Sequence, residues 1–114
     1  MKEVVKTIED CKEFVDAYNK AYDQRKKELD FDIKLKDGRI INRKFAIKNF
    51  KIGLNDDKKV NTLLKGENKF IDKEGAPFCP CKLQHIDENI CPCKDSLDEA
   101  EEMGYCHCQM YVKT

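Results

Sequence analysis

The sequence has no tryptophan, only three prolines and five glycines, and no net charge, with 22 Lys and Arg against 22 Asp and Glu in 114 residues. The missing net charge excludes a strongly basic nucleic-acid binder of the ordinary kind. No apolar run approaches the roughly 18 residues that a membrane span needs. The first residues, Met1-Lys2-Glu3-Val4-Val5-Lys6, alternate charge with small apolar side chains and do not read as a signal peptide, so a cytoplasmic protein is expected. Large apolar residues are also scarce. Leu, Ile, Val and Phe number 27, little above the roughly 20 % below which chains tend to disorder. A core this lean calls for a staple, either a disulfide set or a metal centre.

Cysteine is what the sequence has in excess. Cys11 stands alone, while Cys79, Cys81, Cys91, Cys93, Cys106 and Cys108 fall within 30 residues. A cytosolic chain does not rely on structural disulfides, so a metal or iron–sulfur site is the leading reading. Charge divides at the same place. Residues 1–78 carry 19 basic and 15 acidic side chains, and residues 79–114 carry 3 and 7. The neutral total hides a basic part and an acidic, cysteine-bearing part.

Hydrophobic spacing predicts the elements. Val4, Ile8, Cys11, Val15, Tyr18 and Tyr22 form one apolar stripe, which predicts an amphipathic helix over residues 2–29 with Cys11 as a small buried hydrophobe. Phe31, Ile33 and Leu35 alternate before Asp37-Gly38, which predicts a short β-hairpin ending near Ile41. Phe45, Phe50 and Ile52 suggest a return to helical period over residues 43–52, stopped by Gly53. A further helix is expected from an Asn55 N-cap to about Ile71. Gly66 lies in its middle and suggests close packing there. Asp95 or Ser96 should cap a short acidic helix ended by Gly104, with Ser96 and Glu99 fitting a capping box. Its acidic residues read as a solvated face, and His85 reads as a surface residue. The whole is expected to be mainly α-helical. An N-terminal helix and hairpin, residues 1–41, should precede a cysteine-bearing domain, residues 42–114.

The cysteines form three Cys-X-Cys pairs: Cys79-Pro80-Cys81, Cys91-Pro92-Cys93 and Cys106-His107-Cys108, separated by nine and then twelve residues. Structural zinc sites mostly use wider knuckles, and bacterial ferredoxin clusters use Cys-X2-Cys runs. Pro80 and Pro92 fix φ and remove an N–H between neighbouring thiols. Four thiolates complete either a tetrahedral zinc or a cubane cluster. Two of the six would then be surplus or a redox dithiol, and counting does not say which.

In that order the three pairs resemble the motif set of the ferredoxin:thioredoxin reductase catalytic chain. Arg43-Lys44-Phe45-Ala46, the helix from Asp56, Gly75-Ala76-Pro77-Phe78 and Met110-Tyr111-Val112 are also similar to family positions. The resemblance covers residues 42–114 and leaves residues 1–41 unmatched. The spacing of the pairs departs from the plant-type chain and is more similar to the archaeal and prokaryotic branch, which includes ferredoxin:disulfide reductases that act without a variable subunit. The resemblance implies that Cys79, Cys91, Cys93 and Cys106 hold a [4Fe–4S] cluster. It implies that Cys81 and Cys108 form the redox-active disulfide, with Cys81 the exposed attacking thiol and His107 a proton donor beside them. Ferredoxin would be the electron donor and a thioredoxin- or glutaredoxin-like protein the target. Lys82 and Lys94 would offset cluster charge or lie on the surface as ordinary lysines. Ferredoxins are acidic, so the lysine-rich stretch of residues 34–69, with Lys44, Lys48 and Lys51, is expected to dock the donor. A structural zinc module and an iron–sulfur carrier without disulfide chemistry are the alternatives.

Overall fold

A computed structural model describes residues 6–35 and 38–114. The helical residues expected at 2–5, and Asp37 of the expected hairpin turn, lie outside these. The described residues form helix α1 (Ile8–Asp23), strands β1 (Glu28–Lys34), β2 (Ile40–Ala46) and β3 (Ile52–Leu54), helix α2 (Asp57–Glu74), a 3-10 turn (Asp87–Asn89), helix α3 (Ser96–Met103) and strand β4 (Tyr111–Lys113). β1 pairs antiparallel with β2, and β3 with β4. The architecture is therefore a mixed α/β fold and not the mainly helical domain that apolar spacing suggested.

The correction has local causes. α1 stops at Asp23, and Arg25 takes a left-handed φ of 57° that turns the chain back. The Gln24–Leu29 stretch therefore leaves the helix, and β1 begins at Glu28. Residues 43–52 are not helical either. On β2 the buried residues are Arg43 and Phe45, two apart, which is strand period. The apparent helical spacing arose because Phe45, Phe50 and Ile52 belong to two different strands and their link. Cross-strand pairing, from Glu28 opposite Ala46 to Lys34 opposite Ile40, overrides the weak helix propensity of this stretch.

α1 supplies the centre of the core. Phe14 is fully buried and meets Phe31 of β1, Phe45 of β2 and Tyr111 of β4 with ring centroids 5.1, 4.9 and 5.1 Å away. Tyr18 Oη donates to the Phe50 carbonyl at 2.8 Å and accepts from the Lys48 N–H at 3.0 Å. Asn19 exchanges two hydrogen bonds with the backbone of Ile52, which seats α1 on β3. Pairing of β3 with β4 (Leu54 opposite Tyr111) brings Met110 and Tyr111 into the same core.

α2 starts one residue later than expected. Asp56 is its N-cap and accepts from the Lys59 N–H at 2.9 Å. The helix ends at Gly75, whose φ of 81° lets its N–H return to the Ile71 carbonyl. From there the chain enters the first cysteine pair.

Candidate iron–sulfur and dithiol site

Three turns carry the six clustered cysteines, and backbone bonds hold them together. Cys79 N–H donates to the Asn89 carbonyl at 2.8 Å and Cys91 N–H to the Pro77 carbonyl at 2.9 Å, with Phe78 bridged to Ile90, so the first two motifs lie antiparallel. The first closes into a turn through Lys82 N–H to the Cys79 carbonyl at 3.1 Å. The third is a turn closed by Gln109 N–H to the Cys106 carbonyl at 2.7 Å, with Gln109 at φ 67°. Cys106 N–H then reaches the Tyr111 carbonyl at 2.9 Å, docking this turn on β4.

Burial separates the cysteines. Cys79, Cys91, Cys93, Cys106 and Cys108 are all buried, and Cys81 is exposed. All seven cysteines are free thiols. Cys106 Sγ lies 3.6 Å from Cys108 Sγ, and Cys79 shares hydrogen bonds with Cys108 and Cys93. Cys79, Cys93, Cys106 and Cys108 thus face one another. Cys91 lies slightly apart, with its sulfur 3.9 Å from Met110 Sδ and 4.0 Å from Tyr111 Oη. Cys108 points inward and Cys81 outward, so the two thiols expected to form a redox pair occupy different environments. Exposed His107 stands between Cys106 and Cys108. Cys11 is fully buried, 3.5 Å from Met110 Sδ, as a small core residue.

Hydrogen bonds from Cys108 and Cys93 pull the Cys79 thiol down to about 3. A bond from Cys108, against the penalty of burial, takes Cys106 down to about 7. The Tyr111 N–H also points at Cys106 Sγ at 3.3 Å. Burial raises Cys91 well above its ordinary range. Burial also raises Cys81, and Lys59 opposes the rise. Among the described residues no three His, Cys, Asp or Glu side chains form a ready single-ion site. The donor set nonetheless suits a thiolate-held cluster. It is all sulfur, enclosed, free of carboxylate ligands and supplied with a backbone N–H aimed at sulfur.

Several side chains to which the sequence assigned no role in the site build the walls. Arg43, on β2, is buried and donates to the carbonyls of Ile90 at 2.7 Å, Pro92 at 2.6 Å and Asp87. It grips both sides of Cys91. Lys6 Nζ donates to the Cys91 carbonyl at 3.1 Å and lies 3.3 Å from Oε1 of the fully buried Glu67. No pattern in the sequence pointed to Lys6 or Glu67. Gly66 does pack closely, because a Cβ there would meet Pro80 Cγ at 3.2 Å. His85 is exposed, as expected, and also makes local contacts. It stacks on Phe78 at 4.7 Å, meets Phe70 edge-on at 4.6 Å and sets Nδ1 2.6 Å from Glu74 Oε2. It pins the loop between the first two motifs.

The expected capping box of α3 is absent. Asp95 is the N-cap, Ser96 Oγ is buried without a partner, and Glu99 turns away to Lys82 and the His107 N–H. The acidic face of α3 is exposed as expected, and Asp98 and Glu101 on it pair with Lys48.

The family model of the ferredoxin thioredoxin reductase catalytic beta chain matches residues 23–114. The chain belongs to that family. It is therefore an oxidoreductase of the ferredoxin:thioredoxin reductase class. The match starts at residue 23, so the β1–β2 hairpin falls within the family region, beyond the reach of the motif resemblance. No curated protein matches this reductase chain significantly. Among its described residues, no helix is long and apolar enough to cross a membrane.

Proposed function

We propose that this reductase chain passes electrons from ferredoxin to a disulfide of a thioredoxin- or glutaredoxin-like protein. In this reading Cys79, Cys91, Cys93 and Cys106 hold a [4Fe–4S] cluster, and Cys81 and Cys108 are the redox pair. The observation that carries the reading is the division of one cysteine constellation into five enclosed thiols and a single exposed one, Cys81. A target disulfide has only that sulfur to meet. Residues 42–114 hold every cysteine of the three motifs, with residues 1–41 as an N-terminal extension. The thiol chemistry suits a reducing compartment such as the cytoplasm.

The Cys81 thiolate attacks one sulfur of the target disulfide, forming a mixed disulfide and releasing one target thiolate. The Cys108 thiolate attacks Cys81 Sγ, breaking the mixed disulfide, forming Cys81–Cys108 and releasing the second target thiolate. Two protons neutralise the target thiolates, and His107, beside Cys108, is placed to supply one. Two electrons and two protons return Cys81 and Cys108 to thiols. A bound cluster would supply storage for single electrons between a one-electron donor and a disulfide that takes two. The driving force suffices, since plant-type ferredoxins near −400 mV and thioredoxin near −270 mV differ by about 6 kcal/mol for two electrons.

The test is ferredoxin-dependent reduction of thioredoxin by the wild type and by Cys81→Ser. Turnover by the wild type and none by the variant is the expected result, and equal turnover by both would remove Cys81 as the nucleophile. Iron and sulfide in equal amounts, with a broad thiolate-to-iron band near ~400 nm, would exclude a zinc module. A carrier without disulfide chemistry would gain no reactive thiols on reduction.

A further inference from the structure

Glu99, on the first turns of α3, holds two of the cysteine turns at once. Its Oε2 lies 2.5 Å from Lys82 Nζ, and its Oε1 accepts the backbone N–H of His107 at 2.9 Å. Lys82 immediately follows Cys81 in the closed turn of the first motif, and His107 immediately precedes Cys108 in the closed turn of the third. Neither end is loose, with 18 % of the Lys82 side chain and 15 % of the Glu99 side chain exposed. Charge-assisted bonds sheltered in this way are stronger and more directional than exposed ion pairs.

No local contact competes for Glu99, since the N-cap of α3 is Asp95 and the Ser96 N–H is already bonded to the Cys93 carbonyl at 3.0 Å. The carboxylate is committed to the bridge.

We infer that Glu99 is a positioning residue that holds the Cys81 turn against the Cys108 turn and thereby favours closure of the Cys81–Cys108 disulfide. The inference rests on the redox pair proposed above. Closing the bond removes two electrons and two protons from the thiols and forms one S–S bond. A tie between the two turns raises the effective concentration of one thiol at the other. It therefore stabilises the disulfide over the dithiol. Lys82 acquires a definite role as the far anchor of the bridge, in place of a general offset to cluster charge.

The experiment equilibrates the iron–sulfur-loaded protein in mixtures of reduced and oxidised dithiothreitol, which supply or accept the two electrons. Free thiols are then alkylated, and the occupancy of Cys81 and Cys108 is read by mass spectrometry. Glu99→Ala and Lys82→Met should each shift the equilibrium toward the dithiol about tenfold, a potential about 30 mV more positive. The double variant should shift no further than the larger single shift, because both remove one bridge. Glu102→Ala, on the same helix, should leave the equilibrium unchanged. Equal equilibria in wild type, Glu99→Ala and Lys82→Met would overturn the inference, as would a lowered Tm without a shift in potential. Should Glu99→Ala fail to fold, Lys82→Met decides from the other end. If the wild type forms no Cys81–Cys108 disulfide at any dithiothreitol ratio, the functional reading falls and this inference with it. A disulfide that forms but ignores both substitutions sinks this inference alone.

Discussion

Arg43 donates to three carbonyl oxygens of one loop, those of Asp87, Ile90 and Pro92. Only a guanidinium offers enough donors in a fixed fork to serve all three. Arg43→Met leaves buried carbonyls without donors and should lower stability to urea by about 3–5 kcal/mol. Arg43→Lys should recover less than half of that, because one ammonium does not span the same acceptors. Full recovery by lysine would show that charge alone matters there. Lys6 and Glu67 follow a different rule. Glu67 is fully buried, and burial pushes its carboxyl up while Lys6 pulls it back. Lys6→Met strands that carboxylate and should cost about 3–5 kcal/mol in urea unfolding, whereas Lys6→Met with Glu67→Met should cost much less. A double variant as weak as the single would mean that Lys6 acts through the Cys91 carbonyl it also holds at 3.1 Å. The sequence showed six of the seven cysteines as a site because their spacing is itself a pattern. Lys6 and Glu67 belong to no pattern and Arg43 only to a stretch similar to family positions, and their roles arise only when strand β2, the N-terminal segment and helix α2 converge on one loop.

All of helix α1 but Asp23 precedes the family match, yet the helix provides Cys11, Phe14, Val15 and Tyr18 to the core that encloses Cys79, Cys91, Cys106 and Cys108. A chain beginning at residue 24 should therefore fail to fold cooperatively, with loss of the far-UV helical signal and of a sigmoidal urea transition. Within the full chain, Phe14→Ala should cost about 3–5 kcal/mol. Helix α2 makes the complementary contact. Gly66 allows Pro80 of the first motif to lie against the helix at a distance a Cβ would crowd. Gly66→Leu drives a branched side chain into the Pro80 ring and should reduce the iron bound per chain, while Lys65→Leu, on the exposed neighbour, should not. Helices α1 and α2 were legible in outline because their stripes run through several turns. The β1–β2 hairpin was legible in part, from Phe31, Ile33 and Leu35 ahead of Gly38, whereas β3 and β4 were not, because they are three residues long and owe their existence to a partner distant in sequence. Apolar residues of two short strands then mimic one helical face, and only the pairing of Glu28–Lys34 with Ile40–Ala46 distinguishes them.

At the scale of the molecule, the basic and acidic parts are partly spent on each other. Lys48 bridges to Asp98 and Glu101 of α3 across the two parts, while Lys51 lies 2.8 Å from Asp23 within the basic part itself. Two of the three lysines expected to greet an acidic donor are thus engaged within the chain, so reversing them would disturb the fold as well as any docking. The exposed lysines of α2 offer a cleaner surface. Lys58, Lys65 and Lys69 are exposed and fall on one helix face at spacings of seven and four. Lys59, about 100° round the helix from that face, acts on the Cys81 thiol, so Cys81 lies to one side of the face. A donor held there would meet the protein within short range of the cysteine turns. Long-range attraction between such a face and an acidic protein raises the association rate and is screened beyond about 10 Å at 0.1 M salt. Lys58→Glu, Lys65→Glu and Lys69→Glu together should lower ferredoxin-dependent turnover at least tenfold at low ionic strength, with the gap to wild type narrowing as salt is added. Turnover driven by dithionite should be unaltered, since that reductant does not need the surface. Equal rates with ferredoxin at low salt would move the donor to another face of the molecule, and a loss that persists with dithionite would show damage to the dithiol site instead of to docking.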